Sequence, residues 1–372
     1  MVCKRAWLIP AIMTIVIGMV FLYSTPVPKA DYIYYQSFIE ALARGHIDMS
    51  IIGFHGSDFL ALPWYLVTRS SFALIGFQKF CALCLPTLSY LVGKKWFGTR
   101  GGILFCCMFL FPPFMPFLAY QGWTYPSYFC LIFLGFLFDR GWGWLPLSIA
   151  IVTKPFAVIF LPFLKRWWLA LLIPIAYVCF EYVQVGQIQV GVHQGTTASN
   201  AFPLDRLTDN LIFGFQTILS VHRSKLNASV GIDDMIHTSP LVVFLGLRGL
   251  IETGYLPTRL RLLLGSSFVM GLALNFLLAD IDTNYLDTPL LCLILASIPV
   301  MLQSTRWIPL VGLTMFFPWW YFLLGYYHSF ALPSWFYVWP SMAFLLSLIP
   351  MSATVTRWFE CDELPSGKKA RA

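Results

Sequence analysis

Residues 26–69 read PVPKADYIYYQSFIEALARGHIDMSIIGFHGSDFLALPWYLVTR and follow directly on the first long apolar run of the chain. The stretch contains acidic side chains in a protein in which only 11% of residues are charged, namely Asp31, Glu40, Asp48 and Asp58. A polar loop of about forty residues between two apolar runs is too long for a simple connection, and such loops commonly carry function. The sequence therefore predicts that functional residues lie in this loop.

The composition is that of an integral membrane protein. Of the 372 residues 58% are hydrophobic, 34 are Phe, and the mean hydropathy is +0.73. A soluble domain carries about 25% charged residues and could not bury this much apolar surface. Repeated apolar runs of about twenty residues indicate membrane-spanning helices. We predict an all-α polytopic membrane protein in which residues 1–372 form one domain.

The distribution of basic residues predicts the topology, because Lys and Arg collect on the cytoplasmic side. Residues 56–96 could cross once or twice, and the rule favours one crossing over 73–93, with Lys94, Lys95 and Arg100 inside. After an uncleaved first helix, further spans are predicted near 101–119, 124–138, 141–152, 155–165, 167–184, 238–254, 260–279, 286–303, 306–325 and 334–353. The total is about twelve transmembrane helices with both termini inside. Most of the 17 acids and all six histidines then lie outside.

The first outer loop is predicted to contain a surface helix. Asp31 precedes a run in which one helical face carries Tyr34, Phe38, Ala41 and Leu42, and the helix is expected to stop at Gly45. A second interfacial helix is predicted within the long outer loop 185–236. The segments 141–152 and 155–165 are too short for full crossings, so we predict half-spans that meet at Thr153-Lys154-Pro155.

Three features in this order resemble the GT-C superfamily of glycosyltransferases. They are Asp-Tyr-x-Tyr-Tyr at 31–35, Ala-Arg-Gly at 43–45, and SIAIVTKPFAVIFLPFL at 148–164. Similar chains include the polyprenyl- or dolichyl-phosphate-sugar-dependent mannosyltransferases and aminoarabinosyltransferases. The resemblance implies a GT-C module over 1–184, with a catalytic first outer loop at 25–72. Loop 185–236 would close over a lipid-linked sugar, followed by C-terminal helices at 237–353 and a cytoplasmic tail at 354–372.

The resemblance assigns the catalytic carboxylate to Asp31, which would accept the proton of the acceptor hydroxyl. Asp31 also precedes a helix, where Asp is a favoured N-cap, so capping is the alternative role. Tyr35 belongs to the same motif. Tyr285 follows Asn284 where family members often have Arg-Tyr, and both tyrosines are candidates for substrate binding.

Four basic residues are candidates for binding the donor phosphate. Lys154 lies between the two half-spans and is expected to meet either an anion or, by snorkelling, the interface. Lys79 and Arg69 flank the outer end of the second span, where they could bind phosphate or act as ordinary interfacial anchors. Arg248 is predicted to lie mid-span, with a pair to Glu181 or Asp139 as the alternative role.

The function predicted from these features is sugar transfer from a polyprenyl-phosphate-linked donor to an extracytoplasmic acceptor, which could be a glycolipid, a polysaccharide or a protein. A transporter or flippase of lipid-linked sugars, or an envelope polysaccharide polymerase or ligase, is the alternative. The lipid bilayer is the other expected partner, and nucleic acid is not. No metal site is predicted, although binding of a divalent metal ion stays an open alternative. The pattern favours a bacterial inner or plasma membrane over the endoplasmic reticulum.

Overall fold

The computed structural model describes residues 6–22, 32–51, 53–110, 124–186, 240–277, 287–304 and 307–312, with the single positions 188 and 208. Within these residues the regular elements are all helices. In chain order they are α1 (Leu8–Leu22), α2 (Tyr32–Ala43), α3 (Gly56–Thr68), α4 (Ala73–Leu110), α5 (Tyr125–Leu137), α6 (Trp144–Thr153), the 3-10 helices Pro155–Phe163 and Trp167–Leu171, α7 (Leu172–Val185), α8 (Pro240–Ile251), α9 (Thr258–Leu277) and α10 (Asp287–Gln303).

The predicted surface helix after position 31 is confirmed as α2, and the chain turns away at Gly45, which has a φ of +80°. Of the residues on the predicted shared face, Phe38 and Ala41 are buried, whereas Tyr34 is 38% exposed. Tyr32 and Tyr35 are buried instead. The reason is a polar anchor: the Tyr32 hydroxyl donates a hydrogen bond to the carbonyl oxygen of Ser71, which turns this face of α2 towards α3 and α4.

Helix α4 is a hairpin of two legs. It reverses at Gly98, whose φ of 76° and ψ of −176° are open to glycine and strained for other residues. The legs touch closely, because a Cβ on Gly93 would lie 2.7 Å from the carbonyl oxygen of Gly101. The chain thus passes once through 73–97 and returns, while α3 lies beside the bundle. Residues 56–96 thus form α3 and most of the first leg of α4.

The inner turn of this hairpin is tied to the inner end of α5. Lys95 Nζ lies 2.8 Å from the Phe136 carbonyl oxygen and 2.7 Å from Asp139 Oδ1. The carbonyls at a helix C-terminus lack partners within the helix, so an ammonium group is favourable there. Exposed tryptophans lie at the same level, as is typical of a membrane interface: Trp142, Trp167 and Trp168.

The segments predicted at 141–152 and 155–165 form a second hairpin and meet at Lys154, as predicted. Helix α6 has 10 residues and rises to Lys154, and the 3-10 helix Pro155–Phe163 descends again. Its end returns to the inner side, because the Lys165 amide donates a hydrogen bond of 3.2 Å to the Asp139 carbonyl oxygen. Lys154 therefore occupies the tip of this hairpin, where α6 ends.

Helices α8, α9 and α10 complete the described bundle. Ser267 of α9 donates a hydrogen bond of 2.6 Å to the Ile159 carbonyl oxygen, which joins α9 to the second hairpin. Gly246 and Gly249 approach Leu293 and Ala296, so α8 and α10 run parallel. Among the residues that the structure describes, Ala73–Phe109, which includes the turn at Gly98, and Trp167–Val185 are long and apolar enough to cross a membrane.

Several predicted features lie outside the described residues. They include nearly all of the outer loop 185–236 with its interfacial helix, the span 334–353, the part of the span 306–325 beyond residue 312, and the tail 354–372.

Candidate functional site

A buried cluster of polar side chains lies where the outer ends of four helices meet. We call it the outer polar cluster and define it as Ser57, Gln78, Ser127 and Thr153, from α3, α4, α5 and α6 respectively. Ser57 Oγ lies 2.6 Å from Ser127 Oγ and 3.4 Å from Thr153 Oγ1. Gln78 donates to Ser127 Oγ and accepts from its backbone amide, each at 3.0 Å. Because buried polar groups are costly unless paired, this mutual pairing fixes the four helices in register.

Lys154 directly follows Thr153, a member of the outer polar cluster, in the chain. Proline at 155 disfavours helical backbone at the preceding position, and Lys154 is extended, with φ −153° and ψ 118°. Its side chain is only 7% exposed, and Nζ lies 3.9 Å from the centroid of the Tyr125 ring. The face of an aromatic ring attracts a cation, so Tyr125 stabilises the ammonium group. The structure thus places a buried cation at the end of α6, directly after Thr153.

The first outer loop reaches this cluster through the start of α3. Gly56 packs directly on α6, where an added Cβ would lie 2.7 Å from the Ile149 carbonyl oxygen. The adjacent side chain, Ser57, is a member of the outer polar cluster. Helix α2 begins at Tyr32, immediately after Asp31, and packs on α3. Asp31 itself lies outside the described residues, but the helix that follows it is joined to the Lys154 region through α3.

A second polar feature, His55 with Asp58, lies at the start of α3. His55 Nδ1 is 2.7 Å from Asp58 Oδ2, and His55 Nε2 is 2.9 Å from the Ile51 carbonyl oxygen. Both side chains are at most 1% exposed. Burial raises the pKa of the Asp58 carboxyl, because the charged form loses its hydration.

An apolar cavity of about 440 Å³ lies between α3, α6 and α7, next to these polar groups. Gly56 and Val152 line its side towards the outer polar cluster, and Met49 and Phe180 line the opposite part. Gln184 of α7 accepts a 3.0 Å hydrogen bond from the backbone amide of Met49, which lies in the loop that precedes α3. This bond holds that loop against α7. The site therefore combines a buried cation, a polar cluster and an apolar cavity.

The other predicted basic residues do not join Lys154. Arg69 is an exposed residue that ends α3 in a left-handed conformation, with φ 50°, and its guanidinium lies 6.0 Å from the Tyr65 ring. Lys79 points towards α1, where Nζ is 5.3 Å from the Phe21 ring. Both therefore stay candidates for the outer surface, separate from the buried site.

The expectation for Arg248 needs correction. It lies in the last turn of α8, and it pairs with Glu252 at 2.8 Å instead of Glu181 or Asp139. Since α8 runs parallel to α10, Arg248 lies near the level of Ala296, about 13 Å along the helix from Asp287 at the outer end. The structure does not bring Arg248 to the candidate site.

Tyr35 is buried against the start of α3, with its ring 6.3 Å from that of His55. Tyr285 lies outside the described residues. Sequence reasoning missed the outer polar cluster and the His55–Asp58 pair. The spacing His-x-x-Asp before an apolar helix is a local signal for the pair, whereas the members of the outer polar cluster come from four separate segments.

No protein-family model and no curated protein matches this chain. Among solved structures, the chain is similar to the crystal structure of ArnT from Cupriavidus metallidurans bound to undecaprenyl phosphate. The TM-score is 0.52 at 12% sequence identity, and the match covers 92% of this chain and 70% of that chain. ArnT is a polytopic GT-C membrane protein. The likeness confirms the predicted all-α, GT-C-like membrane fold.

Proposed function

We propose that this protein is a membrane glycosyltransferase that transfers a sugar from a polyprenyl-phosphate-linked donor to an acceptor on the extracytoplasmic side. The observation that carries the proposal is the buried ammonium group of Lys154 at the tip of the second hairpin, in a GT-C-like fold. An ammonium group at this depth is costly unless an anion or water compensates it. A phosphate group of a lipid-linked sugar that reaches this hairpin tip would be attracted by the fixed positive charge.

The reaction would be a single displacement at the anomeric carbon. The oxygen of the acceptor hydroxyl attacks C1 while its proton passes to the carboxylate of Asp31, acting as general base. The bond between C1 and the phosphate oxygen breaks, and polyprenyl phosphate leaves with the bonding electrons. The configuration at C1 is inverted. Lys154 would neutralise the negative charge that grows on the departing phosphate, which is how a fixed cation lowers such a barrier.

The surroundings of Lys154 suit this role. Tyr125 holds the ammonium group from one side, and the hydrogen bonds of the neighbouring Thr153 fix the backbone from which Lys154 projects. A group held in place before the reaction needs little reorganisation during it. Lys79 and Arg69, at the outer surface, are proposed as secondary contacts for the donor phosphate, and Tyr35 and Tyr285 for the sugar or acceptor.

The lipid-linked donor fits both the fold and the side of the membrane. ArnT was crystallised with undecaprenyl phosphate, and the same class of lipid would carry the sugar here. Nucleotide sugars are not available on the extracytoplasmic face. We therefore propose a protein of the bacterial inner or plasma membrane, with a hexose or pentose as the transferred sugar.

The test replaces Lys154 in full-length protein reconstituted with a radiolabelled polyprenyl-phosphate-hexose or -pentose. We expect Lys154→Met to weaken donor use by about 2–5 kcal/mol, because it removes one partner of a buried charge pair. Lys154→Arg should retain more activity. The matched control is Lys165→Met, an exposed lysine at the inner end of the same hairpin. Equal donor affinity in wild type and Lys154→Met would contradict the proposed phosphate contact.

A further inference from the structure

The His55–Asp58 pair is not used by the mechanism above, yet it is fully buried and made of two ionisable side chains. Each ring nitrogen of His55 has its own partner, Asp58 for Nδ1 and the Ile51 carbonyl for Nε2. Among the described residues, no hydrogen-bond partner reaches the second carboxylate oxygen of Asp58. Removing one partner of such a buried pair is strongly destabilising, because the other group is then left buried and unpaired.

The hydrogen-bond geometry fixes where the protons lie. A carbonyl oxygen can only accept, so His55 Nε2 carries a hydrogen that it donates to Ile51. A single further proton then bridges Nδ1 and Asp58 Oδ2. Whichever atom carries this proton, the pair has no net charge, which suits its burial. A side chain that donates to Nδ1 without being charged can therefore replace Asp58.

The ring of His55 packs against two aromatic residues of α2. It stacks on Phe38 with a centroid separation of 3.7 Å and an interplanar angle of 3°, and Tyr35 packs against its edge. Phe38 is completely buried and also packs at 5.4 Å on Phe59 of α3. Tyr35 and Phe38 are three residues apart in α2 and therefore lie on one face of the helix. The residues that His55 contacts thus belong to the helix that directly follows Asp31 in the chain.

We propose that His55 and Asp58 are positioning residues that hold α2, the helix that directly follows Asp31 in the chain, in a fixed place against α3. This inference rests on the proposed function for its catalytic part. The structural part, that the pair restrains α2, can be measured without any reaction. Neither residue needs to touch the substrate.

The first experiment measures the restraint directly. A spin label at Ile33→Cys, a 65% exposed position of α2, reports the mobility of the helix in a chain whose native cysteines are replaced. We expect His55→Leu to increase the label's mobility, because it removes both hydrogen bonds and the flat stack on Phe38. His46→Leu is the matched control, since His46 is an exposed histidine in the same loop, and it should leave the spectrum unchanged.

The second experiment measures transfer. We expect His55→Leu and Asp58→Leu to lower kcat by about 10- to 100-fold, the range expected for a small misplacement of a reacting group. The KM for the donor should change less than about twofold, because Lys154 rather than α2 binds the phosphate. Asp58→Asn should retain most of kcat, since its amide can donate to Nδ1. This rescue distinguishes positioning from a mere loss of stability.

Three outcomes of the label and transfer experiments test the inference. If the label moves in His55→Leu while wild type transfers no sugar from the lipid-linked donor, the restraint stands and the proposed function fails. An unchanged label spectrum in both His55→Leu and Asp58→Leu overturns the inference. So does an Asp58→Asn protein as impaired as Asp58→Leu. If His55→Leu does not insert, the two Asp58 variants carry the same test.

Discussion

The contact between Gly56 of α3 and the end of α6 should be among the least tolerant in the protein. In Gly56→Ala the new Cβ would lie 2.5 Å from Thr153 Oγ1, 2.6 Å from the Thr153 nitrogen and 2.7 Å from the Ile149 carbonyl oxygen. Ordinary contact begins at 3.4 Å, so each separation is about 0.7–0.9 Å too short. Two of the three atoms belong to the backbone and cannot rotate away.

Relief of this overlap requires α3 and α6 to separate by nearly the same amount. Overpacking of a close contact typically costs about 1–3 kcal/mol. The displacement would also move Ser57 and Thr153, and with them the backbone beside Lys154. A misplacement of about 1 Å can reduce a rate by about 100-fold. We therefore expect Gly56→Ala to lower both the free energy of unfolding and the rate of sugar transfer.

The assay is unfolding of purified protein in mixed micelles by SDS titration, together with transfer in reconstituted membranes. The matched control is Gly265→Ala within α9, where an added Cβ meets no atom within 4 Å. That change should be neutral or stabilising by up to about 1 kcal/mol, because alanine favours helix. A Gly56→Ala protein with wild-type stability and wild-type transfer would refute the close packing of α3 on α6.

Two further predictions concern the cation and the topology. Tyr125→Phe should keep donor affinity within about threefold of wild type, because the aromatic ring remains. Tyr125→Leu should weaken donor affinity by about 0.5–2 kcal/mol, as measured by donor titration. Equal affinities in the two variants would contradict the cation–π contact. Single cysteines at Ser50 and Gly141, in a chain otherwise free of cysteine, should differ towards a membrane-impermeant maleimide. Ser50→Cys should react in intact cells and Gly141→Cys only after permeabilisation, and the reverse pattern would invert the proposed orientation.

Much of the fold followed from the sequence because hydrophobic runs and basic residues are local signals. The predicted segment 124–138 became Tyr125–Leu137, and 286–303 became Asp287–Gln303. The break at Lys154 was predictable from the following proline. The pairing of Arg248 with Glu252 could also have been predicted from the sequence, because i, i+4 ion pairs on a helix are common. The error there was to look for a distant partner.

The rest could not be predicted because it depends on tertiary contacts. Ser57, Ser127 and Thr153 meet across separations of 70 and 96 residues, and no spacing in the sequence indicates it. Tyr34 shares the apolar pattern of α2 but is exposed, because the hydroxyl of Tyr32 selects a different face. Polar anchors between helices outweigh the hydrophobic pattern in a short surface helix.

The central claim is that Asp31 is the general base of a glycosyl transfer, and Asp31→Asn tests it most directly. Asparagine is about as good an N-cap as aspartate, so α2 should remain folded while the proton acceptor is lost. General-base catalysis contributes typically about 10²–10⁴-fold, and transfer from a polyprenyl-phosphate-sugar donor should fall by that order with thermal stability unchanged. Glu40→Gln and Asp48→Asn, in the same loop, should have milder effects. An Asp31→Asn protein that transfers sugar at the wild-type rate would contradict the account.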